Sequence, residues 1–412
     1  MIVLRMAWRN IWRNGARTAV TGTAVALNTA ILILVIGLTD GMMKTTLHNL
    51  TSMALGEAEV HAPRYREERR FFNSVHRPER ILEAADAAGI PAAARAYGPG
   101  LAAVGSKSAG AVYWGVDPKR ERRAFELASQ VATGTFLPEA PDPNPEAASH
   151  RPIVLGAKLA NMVQAEVGSE LVAVVQAADG SIGNELFAVT GILKRVSSDI
   201  DSSAAILRQS DFEELFVSQG RIHEIALNTS GRLTPDQIAA AMRPVAAGEE
   251  VLTWRELAPA PAQMIDLFSG FMAVFGLIFG LAAGTGVMNS MLMSTFDRIR
   301  EFGVIKALGA TPVRIVRDVA CEALVLGLFF SGIGAGLGAS ANYLLSVHGI
   351  NLATGDALAL SGVAFDSVWR STMSVEGVLL SVAVMSAVSV LAALYPAVKA
   401  ARLDPVIAMT EP

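Results

Sequence analysis

The side chains that most often carry out catalysis are few and scattered in this 412-residue chain. Its one cysteine, Cys321, can form neither an intramolecular disulfide nor a thiolate metal cluster. Its six histidines lack the spacing of metal ligands and stand at positions 48, 61, 76, 150, 223 and 348. The motifs G-x-x-x-x-G-K-S/T, H-E-x-x-H, C-x-x-C and G-x-S-x-G do not occur. We therefore expect no catalytic residue, metal site or cofactor within this chain.

Arginine and tryptophan instead recur at four-residue spacing near the N-terminus. On a helix such residues form stripes, and arginine with indole rings is typical of a helix on a membrane surface. We predict an amphipathic cytoplasmic helix over 1–17, and a plain positively charged flank is a compatible alternative. A signal peptide is disfavoured because the apolar run that follows is too long and lacks a small-residue cleavage site. The predicted membrane-interface residues are Arg5, Trp8, Arg9, Trp12, Arg13 and Arg17.

A second charged segment, 297–312, has apolar residues three apart. Ile299, Phe302, Ile305 and Leu308 share one face of the helix that this spacing predicts. Gly309 can end that helix, and Thr311-Pro312 can begin the next one. An exposed amphipathic helix must bury its apolar face against the bilayer or in a protein groove.

Composition indicates that these segments flank membrane spans. The chain is 52% hydrophobic and only 17% charged, whereas soluble domains carry about 25% charged residues. Charge-free runs long enough to cross a bilayer lie at 18–39, 267–296, 323–355 and 377–398. From these runs we predict four transmembrane helices, at 18–39, 267–296, 313–345 and 377–398. No span carries a central acidic or basic residue, which disfavours a proton relay or ion pathway.

The distribution of lysine and arginine predicts the orientation. Segments 1–17, 297–322 and 399–412 contain eleven such residues, and the short loop 346–376 contains one. The positive-inside rule then places both termini in the cytoplasm and residues 40–266 outside. The net charge of -4 gives no indication of nucleic-acid binding.

Residues 40–266, the outer domain, read as a mixed α/β domain, with one or two lobes. The predicted strands are 59–63, 152–156, 171–176, 186–193 and 222–227, with helices at 157–164 and from Thr234 onward. Loops are predicted at 137–152 and 181–184. The charged run 64–70 is best explained as a solvated face with internal ion pairs, and contact with lipid headgroups or a protein partner is the alternative.

Glycines four residues apart occur in two of the predicted spans. Such spacing lets helix backbones approach closely, within one bundle or between subunits. The predicted packing glycines are Gly276, Gly280, Gly284, Gly332 and Gly336, and Gly334 and Gly338 form a parallel pair.

The segment 289–324, NSMLMSTFDRIREFGVIKALGATPVRIVRDVACEAL, closely resembles the signature of FtsX-like permeases, the membrane subunits of MacB/LolCDE-type ABC transporters. The tail at 395–409, the N-terminal stretch 8–21 and segment 152–174 are also similar to that family. The resemblance implies an α-helical membrane protein with four transmembrane helices and a large α/β extracytoplasmic domain inserted between helices 1 and 2. It also implies a coupling region that docks on the ATPase, comprising Arg298, Arg300, Glu301, Phe302, Gly303, Ile305, Lys306, Leu308, Gly309 and Ala310.

The same resemblance implies a function in the bacterial cytoplasmic (inner) membrane. Such a permease transmits movement from a separate ATPase, which binds ATP and Mg, to an outer domain that extracts or extrudes an amphiphile such as a lipoprotein. Two ATPase copies and a second, identical or related permease chain are the expected partners, with a lipoprotein or periplasmic protein as a further partner. The alternative is a signalling device of the same fold that switches an external cell-wall hydrolase. A membrane-anchored enzyme is disfavoured by the absence of catalytic motifs.

Overall fold

The structure is a computed structural model that describes residues 7–9, 11–139, 151–351, 359–360, 363–364 and 368–402. Arg5, most of the predicted loop 137–152 and the tail after Arg402 lie outside the described residues. The chain divides into two compact units. The first comprises Met1–Met43, Met264–Ala353 and Val368–Pro412, and the second, the outer domain, comprises Lys44–Gln263 and Thr354–Ser367.

The helices are numbered in chain order. They are α1 (Gly15–Leu50), α2 (Tyr65–Glu68), α3 (Pro78–Ala87), α4 (Pro118–Ala124), α5 (Ala157–Val163), α6 (Ser198–Ser203), α7 (Gln209–Phe216), α8 (Pro235–Met242), α9 (Trp254–Leu257), α10 (Pro259–Phe296), α11 (Ile299–Ala307), α12 (Pro312–His348) and α13 (Val375–Ala401). Short 3-10 turns occur at Trp12–Asn14 and Leu127–Gln130, and a π turn at Thr51–Leu55.

The strands are numbered in the same way. They are β1 (Ala58–His61), β2 (Ala92–Val104), β3 (Lys107–Val116), β4 (Val131–Gly134), β5 (Arg151–Leu155), β6 (Glu170–Gln176), β7 (Ile182–Leu193), β8 (Ala204–Arg208), β9 (Glu224–Leu227), β10 (Glu250–Thr253), β11 (Ile350–Asn351), β12 (Ala359–Leu360), β13 (Val363–Ala364) and β14 (Val368–Trp369).

Four helices are long and apolar enough to cross a membrane: Ala7–Met53, Pro259–Phe296, Pro312–His348 and Val375–Ala401. Each is longer than the corresponding predicted span, because a charged residue ends an apolar run without ending a helix. The first helix continues past Asp40 until Gly56, whose φ of 76° only glycine adopts easily. The second and third begin earlier than predicted, at Pro259 and Pro312, because proline is favoured in the first turn.

The first helix also differs from prediction at its N-terminal end. The described residues 7–9 and 11 are helical and are followed by the 3-10 turn Trp12–Asn14 and then α1. Ile11 and Gly15, which flank that turn, both keep right-handed helical dihedral angles. The predicted surface helix 1–17 is therefore not separate from the first span within the part that the structure describes.

The outer domain is built on one ten-stranded sheet. Its strand order is β10-β1-β9-β2-β3-β8-β5-β7-β4, and β6 pairs with β2 and β7. Neighbours are antiparallel except β3 with β8 and β5 with β7. One face of the sheet is covered by α3, α5, α7 and α8, which bury two apolar cores. The other face is only partly covered, and this difference determines where a cavity forms.

Several local predictions for the outer domain are confirmed. The strands near 59, 152, 171 and 222 are present, and Thr234 and Gln237 form the capping box of α8. The predicted loop at 181–184 is wrong, because β7 begins at Ile182 directly after a tight turn. Asp179 makes that turn compact by accepting hydrogen bonds from the backbone and hydroxyl of Ser181.

Candidate functional site

The predicted coupling region forms a short helix, α11, between two membrane helices. Phe302 and Gly303 are buried, and Phe302 joins the core of the membrane unit. Leu308 is 83% exposed, and Val304 and Ile305 are also exposed. The sequence placed Ile299, Phe302, Ile305 and Leu308 on one apolar face, and of these four only Phe302 is buried. The helix buries Phe302 in its own subunit and presents Ile305 and Leu308 to the surroundings.

Glu301 of α11 and the N-cap residue Arg298 form ion pairs with other helices. Arg298 at its N-terminal end donates to Glu301 at 3.1 Å and to Glu322 of α12 at 2.9 Å. Glu301 also accepts from Arg13 at 2.6 Å. Burial favours the neutral acid, but hydrogen bonds from Arg13 and Arg298 outweigh it and lower the pKa of Glu301. Glu301 is therefore an anionic link to the N-terminal helix.

The remaining coupling residues shape the C-terminal end of α11. Lys306 donates to the backbone carbonyl of Ala401 at 2.9 Å, which ties α11 to the end of α13. Gly309 has a φ of 93° and ends the helix as predicted. Arg300 is exposed, and Ala310 donates its N–H to the carbonyl of Ile305.

The N-terminal residues divide between two roles. Trp8 and Trp12 are 42% and 48% exposed and both rings pack edge-on against Phe329 of α12. Arg9 is exposed, whereas Arg17 donates to Asp297 at 2.9 Å. Arg13 pairs with Glu301 in the same way. Two of the arginines that were predicted to lie at the membrane interface, Arg13 and Arg17, therefore bind the segment around α11.

The predicted packing glycines are only partly used within the chain. A Cβ on Gly280 or Gly284 would contact Val388 of α13 at 3.4 or 3.2 Å, and one on Gly276 would just reach Leu32. Gly332 and Gly336 are exposed, and no described atom lies within 4 Å of a Cβ on either, so they do not pack against the part of the chain that the structure describes.

The other glycine pair in α12, Gly334 and Gly338, makes a close contact with α1 instead. A Cβ on Gly334 would fall on the carbonyl of Ala26 and lie 2.8 Å from Cβ of Thr29, and one on Gly338 would lie 2.9 Å from the carbonyl oxygen of Ala30. Asn342, one turn further, donates to the carbonyl of Ile33 at 2.9 Å. The sequence analysis did not predict this polar contact between helices, because it considered only acidic and basic residues within the spans.

In the outer domain, the charged run 64–70 is only partly a solvated face. Arg64 pairs with Glu67 and Glu68, as the surface interpretation predicts. Tyr65 is buried, however, and Arg66 donates to the carbonyl of Leu257 and pairs with the buried Glu59 at 3.5 Å. The alternating charges of this run gave no indication that Tyr65 and Arg66 face inward, because a sequence pattern does not show which strand a short helix covers.

Tyr65 and Arg66 form part of the wall of a cavity of about 660 Å³. Its floor contains Arg95, which is fully buried between Glu121 at 2.6 Å and Glu224 at 3.2 Å. Tyr97 donates its hydroxyl to Glu224 at 3.0 Å. Burial, together with the nearby carboxylate of Glu59, raises the pKa of Glu224. Burial also raises the pKa of Tyr97, so that side chain stays a neutral donor.

Among the described residues, no group of three or more histidine, cysteine, aspartate or glutamate side chains could hold a metal ion.

The described chain thus contains four long apolar helices, an α/β domain between the first two, and the short helix α11 between the second and the third. The family model for the FtsX-like permease C-terminal domain matches residues 273–405, and that for the MacB-like periplasmic core domain matches residues 18–245. The second match covers more than half of the chain, so the chain belongs to this family and is an ABC transporter permease of the MacB/FtsX type. The α/β domain between helices 1 and 2 is accordingly extracytoplasmic.

Relatives span several export systems. The chain is 26% identical to the pyoverdine export ATP-binding/permease protein PvdT of Pseudomonas fluorescens, over 99% of this chain and 59% of that protein. It is 28% identical to an uncharacterised ABC transporter permease of Methanocaldococcus jannaschii, over 55% of each chain. The periplasmic region of MacB from Actinobacillus actinomycetemcomitans aligns with a TM-score of 0.38 and 14% identity, over 54% of this chain and 98% of that one. The chain thus spans little more than half the length of these two curated relatives.

Proposed function

We propose that this permease couples ATP hydrolysis by a separate ATPase to movement of its outer domain, which extracts or extrudes an amphiphile such as a lipoprotein. The observation that carries the proposal is the outward apolar surface of the coupling segment. Leu308 is 83% exposed and Val313, at the start of α12, is 75% exposed. A soluble surface rarely presents such residues together unless a partner covers them.

Ion pairs provide the route by which movement would pass from this surface. A push on α11 would be transmitted through Glu301 to Arg13 and through Asp297 to Arg17. These arginines belong to the helix that continues without a break through Leu50 into the outer domain. Helix α10 connects the outer domain back to α11. No step requires a solute to pass between the spans.

The proposed assembly contains two ATPase subunits, which hold ATP and Mg, and two permease chains, identical or related. We place it in the bacterial inner membrane with both termini in the cytoplasm. The exposed apolar residues of α10, such as Leu267, Phe271 and Leu281, would face lipid or the second permease chain.

Co-purification from native membranes in mild detergent tests the proposed docking surface. We expect a stoichiometric P-loop ATPase with the unaltered chain and its loss with Leu308→Asp. Ile182→Asp is the matched control, because Ile182 is 78% exposed but belongs to the outer domain. An ATPase retained by Leu308→Asp, or lost equally from both variants, would refute docking at α11. An external hydrolase in place of cargo would favour the signalling function.

A further inference from the structure

A short segment between the membrane helices α12 and α13 packs against α1. This segment, residues 368–374, is called the strap. It begins with β14, which pairs with β11 directly after the end of α12. It ends at Ser374, the N-cap of α13, whose side chain accepts a hydrogen bond from the backbone N–H of Gly377 at 3.0 Å. The strap is therefore held at both ends by the two helices that it connects.

Three hydrogen bonds connect α1, α12 and the strap. The backbone N–H of Thr372 donates to the carbonyl of Gly37 at 2.9 Å. Ser371 is buried and donates its hydroxyl to Oδ1 of Asn342 at 2.7 Å. The amide of Asn342 donates in turn to the carbonyl of Ile33 at 2.9 Å. Because buried polar groups that lose their partners are costly, these contacts favour the attached arrangement.

The strap also contacts α1 through its backbone. A Cβ on Gly41 would collide with the carbonyl oxygen of Arg370, so the close approach depends on glycine at this position. On the side of α13, a Cβ on Gly377 would lie 3.6 Å from a side-chain carbon of Ile36. Residues 33–41 of α1 are therefore held by α12, the strap and α13 together.

Helix α10 is attached unevenly along its length. Its first half, residues 263–279, contains no buried residue, and the structure describes every one of these positions. In its second half, Val287 and Met291 are buried in the core of the membrane unit. Thr39 of α1 contacts the first half by donating its hydroxyl to Sδ of Met272 at 3.4 Å, and sulfur is a weak acceptor. The first half of α10 is thus attached less firmly than the strapped part of α1.

We propose that the strap locks α1, α12 and α13 into one body, and that the first half of α10 moves against this body. The coupling helix α11 belongs to the locked body at its start, where Glu301 binds Arg13 of the first helix. It belongs to it at its end as well, where Lys306 binds the carbonyl of Ala401 in α13. As a route by which movement reaches the outer domain, this assignment rests on the proposed function. As a property of the membrane unit, it can be tested without an ATPase.

Distances between pairs of spin labels on the full chain in lipid nanodiscs test the proposal. Cys321, the one native cysteine, is first replaced by serine. Labelled chains are diluted with unlabelled ones, so that distances within one chain dominate. Every pair has one label at Leu324 of α12, which is exposed. The second label stands at Leu344 of α12, at Met43 of α1, or at Leu267 in the first half of α10.

The Leu324–Leu344 pair is the rigid reference, because these two positions of one helix lie about 30 Å apart. We expect the distance distribution of the Met43 pair to be as narrow as this reference, and that of the Leu267 pair to be at least about twofold broader. Equal widths for the Met43 and Leu267 pairs, whether narrow or broad, would overturn the proposal. Two narrow distributions would indicate that a second permease chain holds the first half of α10.

Variants of the strap contacts separate the strap from helix packing in general. Ser371→Ala removes the donor to Asn342, and Gly41→Ala places a methyl group against the strap backbone. Each variant should broaden the distribution of the Met43 pair about twofold, because the end of α1 is then released. An unchanged width in both variants would overturn the role of the strap.

Ser340→Ala and Gly270→Ala are the matched controls. Ser340 is exposed and donates to the carbonyl of Gly336 in its own helix. A Cβ on Gly270 would meet no described atom within 4 Å. Neither control should change the width of the Met43 pair. Broadening as large as in the strap variants would show that any such substitution loosens the membrane unit, which contradicts a specific strap.

The strap and the coupling function fail in different ways. With the ATPase bound, a non-hydrolysable ATP analogue should shift the distance of the Leu267 pair and leave that of the Met43 pair unchanged. A broad Leu267 distribution that nucleotide does not shift would refute the coupling function and leave the strap standing. Equal nucleotide-dependent shifts of both pairs would refute the strap with coupling intact.

Discussion

The contact between α1 and α12 makes the sharpest prediction about the membrane unit. Gly334→Ala places a methyl group on the carbonyl of Ala26 and 2.8 Å from Cβ of Thr29. Carbon atoms in ordinary contact lie about 3.5–4.0 Å apart. The two helices must therefore separate by roughly 1 Å, which also stretches the hydrogen bond from Asn342 to Ile33.

A matched control lies two residues away. Gly332→Ala makes the same chemical change in the same helix, with no described atom within 4 Å of the new methyl group. Both substitutions gain up to about 1 kcal/mol of helix propensity. Only Gly334→Ala incurs overpacking, which costs about 1–3 kcal/mol. The difference between the two variants therefore isolates the steric term.

The assay is thermal unfolding of the purified full chain in nanodiscs, followed by intrinsic fluorescence. At roughly 2–4 °C per kcal/mol, Gly334→Ala should unfold about 2–12 °C below Gly332→Ala. Equal unfolding temperatures would refute the close approach of α1 and α12. A destabilised Gly332→Ala would show instead that Gly332 packs against another chain.

Three further predictions concern charges. Arg298→Met should destabilise the membrane unit in chemical denaturation, because it removes the 2.9 Å ion pair with the buried Glu322; an unchanged free energy of unfolding would contradict this. Glu301→Lys should cost little stability, since the pair is exposed, yet should reduce permease-dependent ATPase activity of the reconstituted complex severalfold; full activity would refute the link to Arg13. Glu224 has a pKa raised by burial and by Glu59, so the folded outer domain holds a proton that the unfolded chain has released. Its stability should fall by up to about 1.4 kcal/mol per pH unit as pH rises above the ordinary glutamate pKa of about 4.3, and amide exchange in Glu224→Gln should lose that slope.

Some features of the fold could be predicted because the signals are local. The capping box at Thr234, the strand Arg151–Leu155 and the end of α11 at Gly309 each depend on residues a few positions apart. Four apolar runs are also local signals, and they predicted four helices.

Other features depend on pairing at long range. The hairpin of β2 and β3 is rich in alanine and glycine, which have low β propensity, and its stability comes from neighbours β9, β6 and β8. Glycine spacing alone could not show that Gly334 rather than Gly332 faces α1, because both series repeat every four residues. The rotation of α12 decides that choice, and it is fixed by partners such as Asn342.

The cavity could not be predicted for the same reason. Glu59, Arg95 and Glu224 come from three strands that are distant in sequence. Isolated charges within short apolar strands were the only signal, and buried charged residues are rare unless they are paired.

The central claim is that ATP binding by a partner moves the outer domain through the tied coupling helix. Hydrogen exchange on the complete complex tests it most directly, with and without a non-hydrolysable ATP analogue. The account predicts nucleotide-dependent changes at the cavity-lining ends 49–55 and 258–261, and their loss in Glu301→Lys while the ATPase stays bound. Unchanged exchange in both segments, with nucleotide bound and the complex intact, would contradict it.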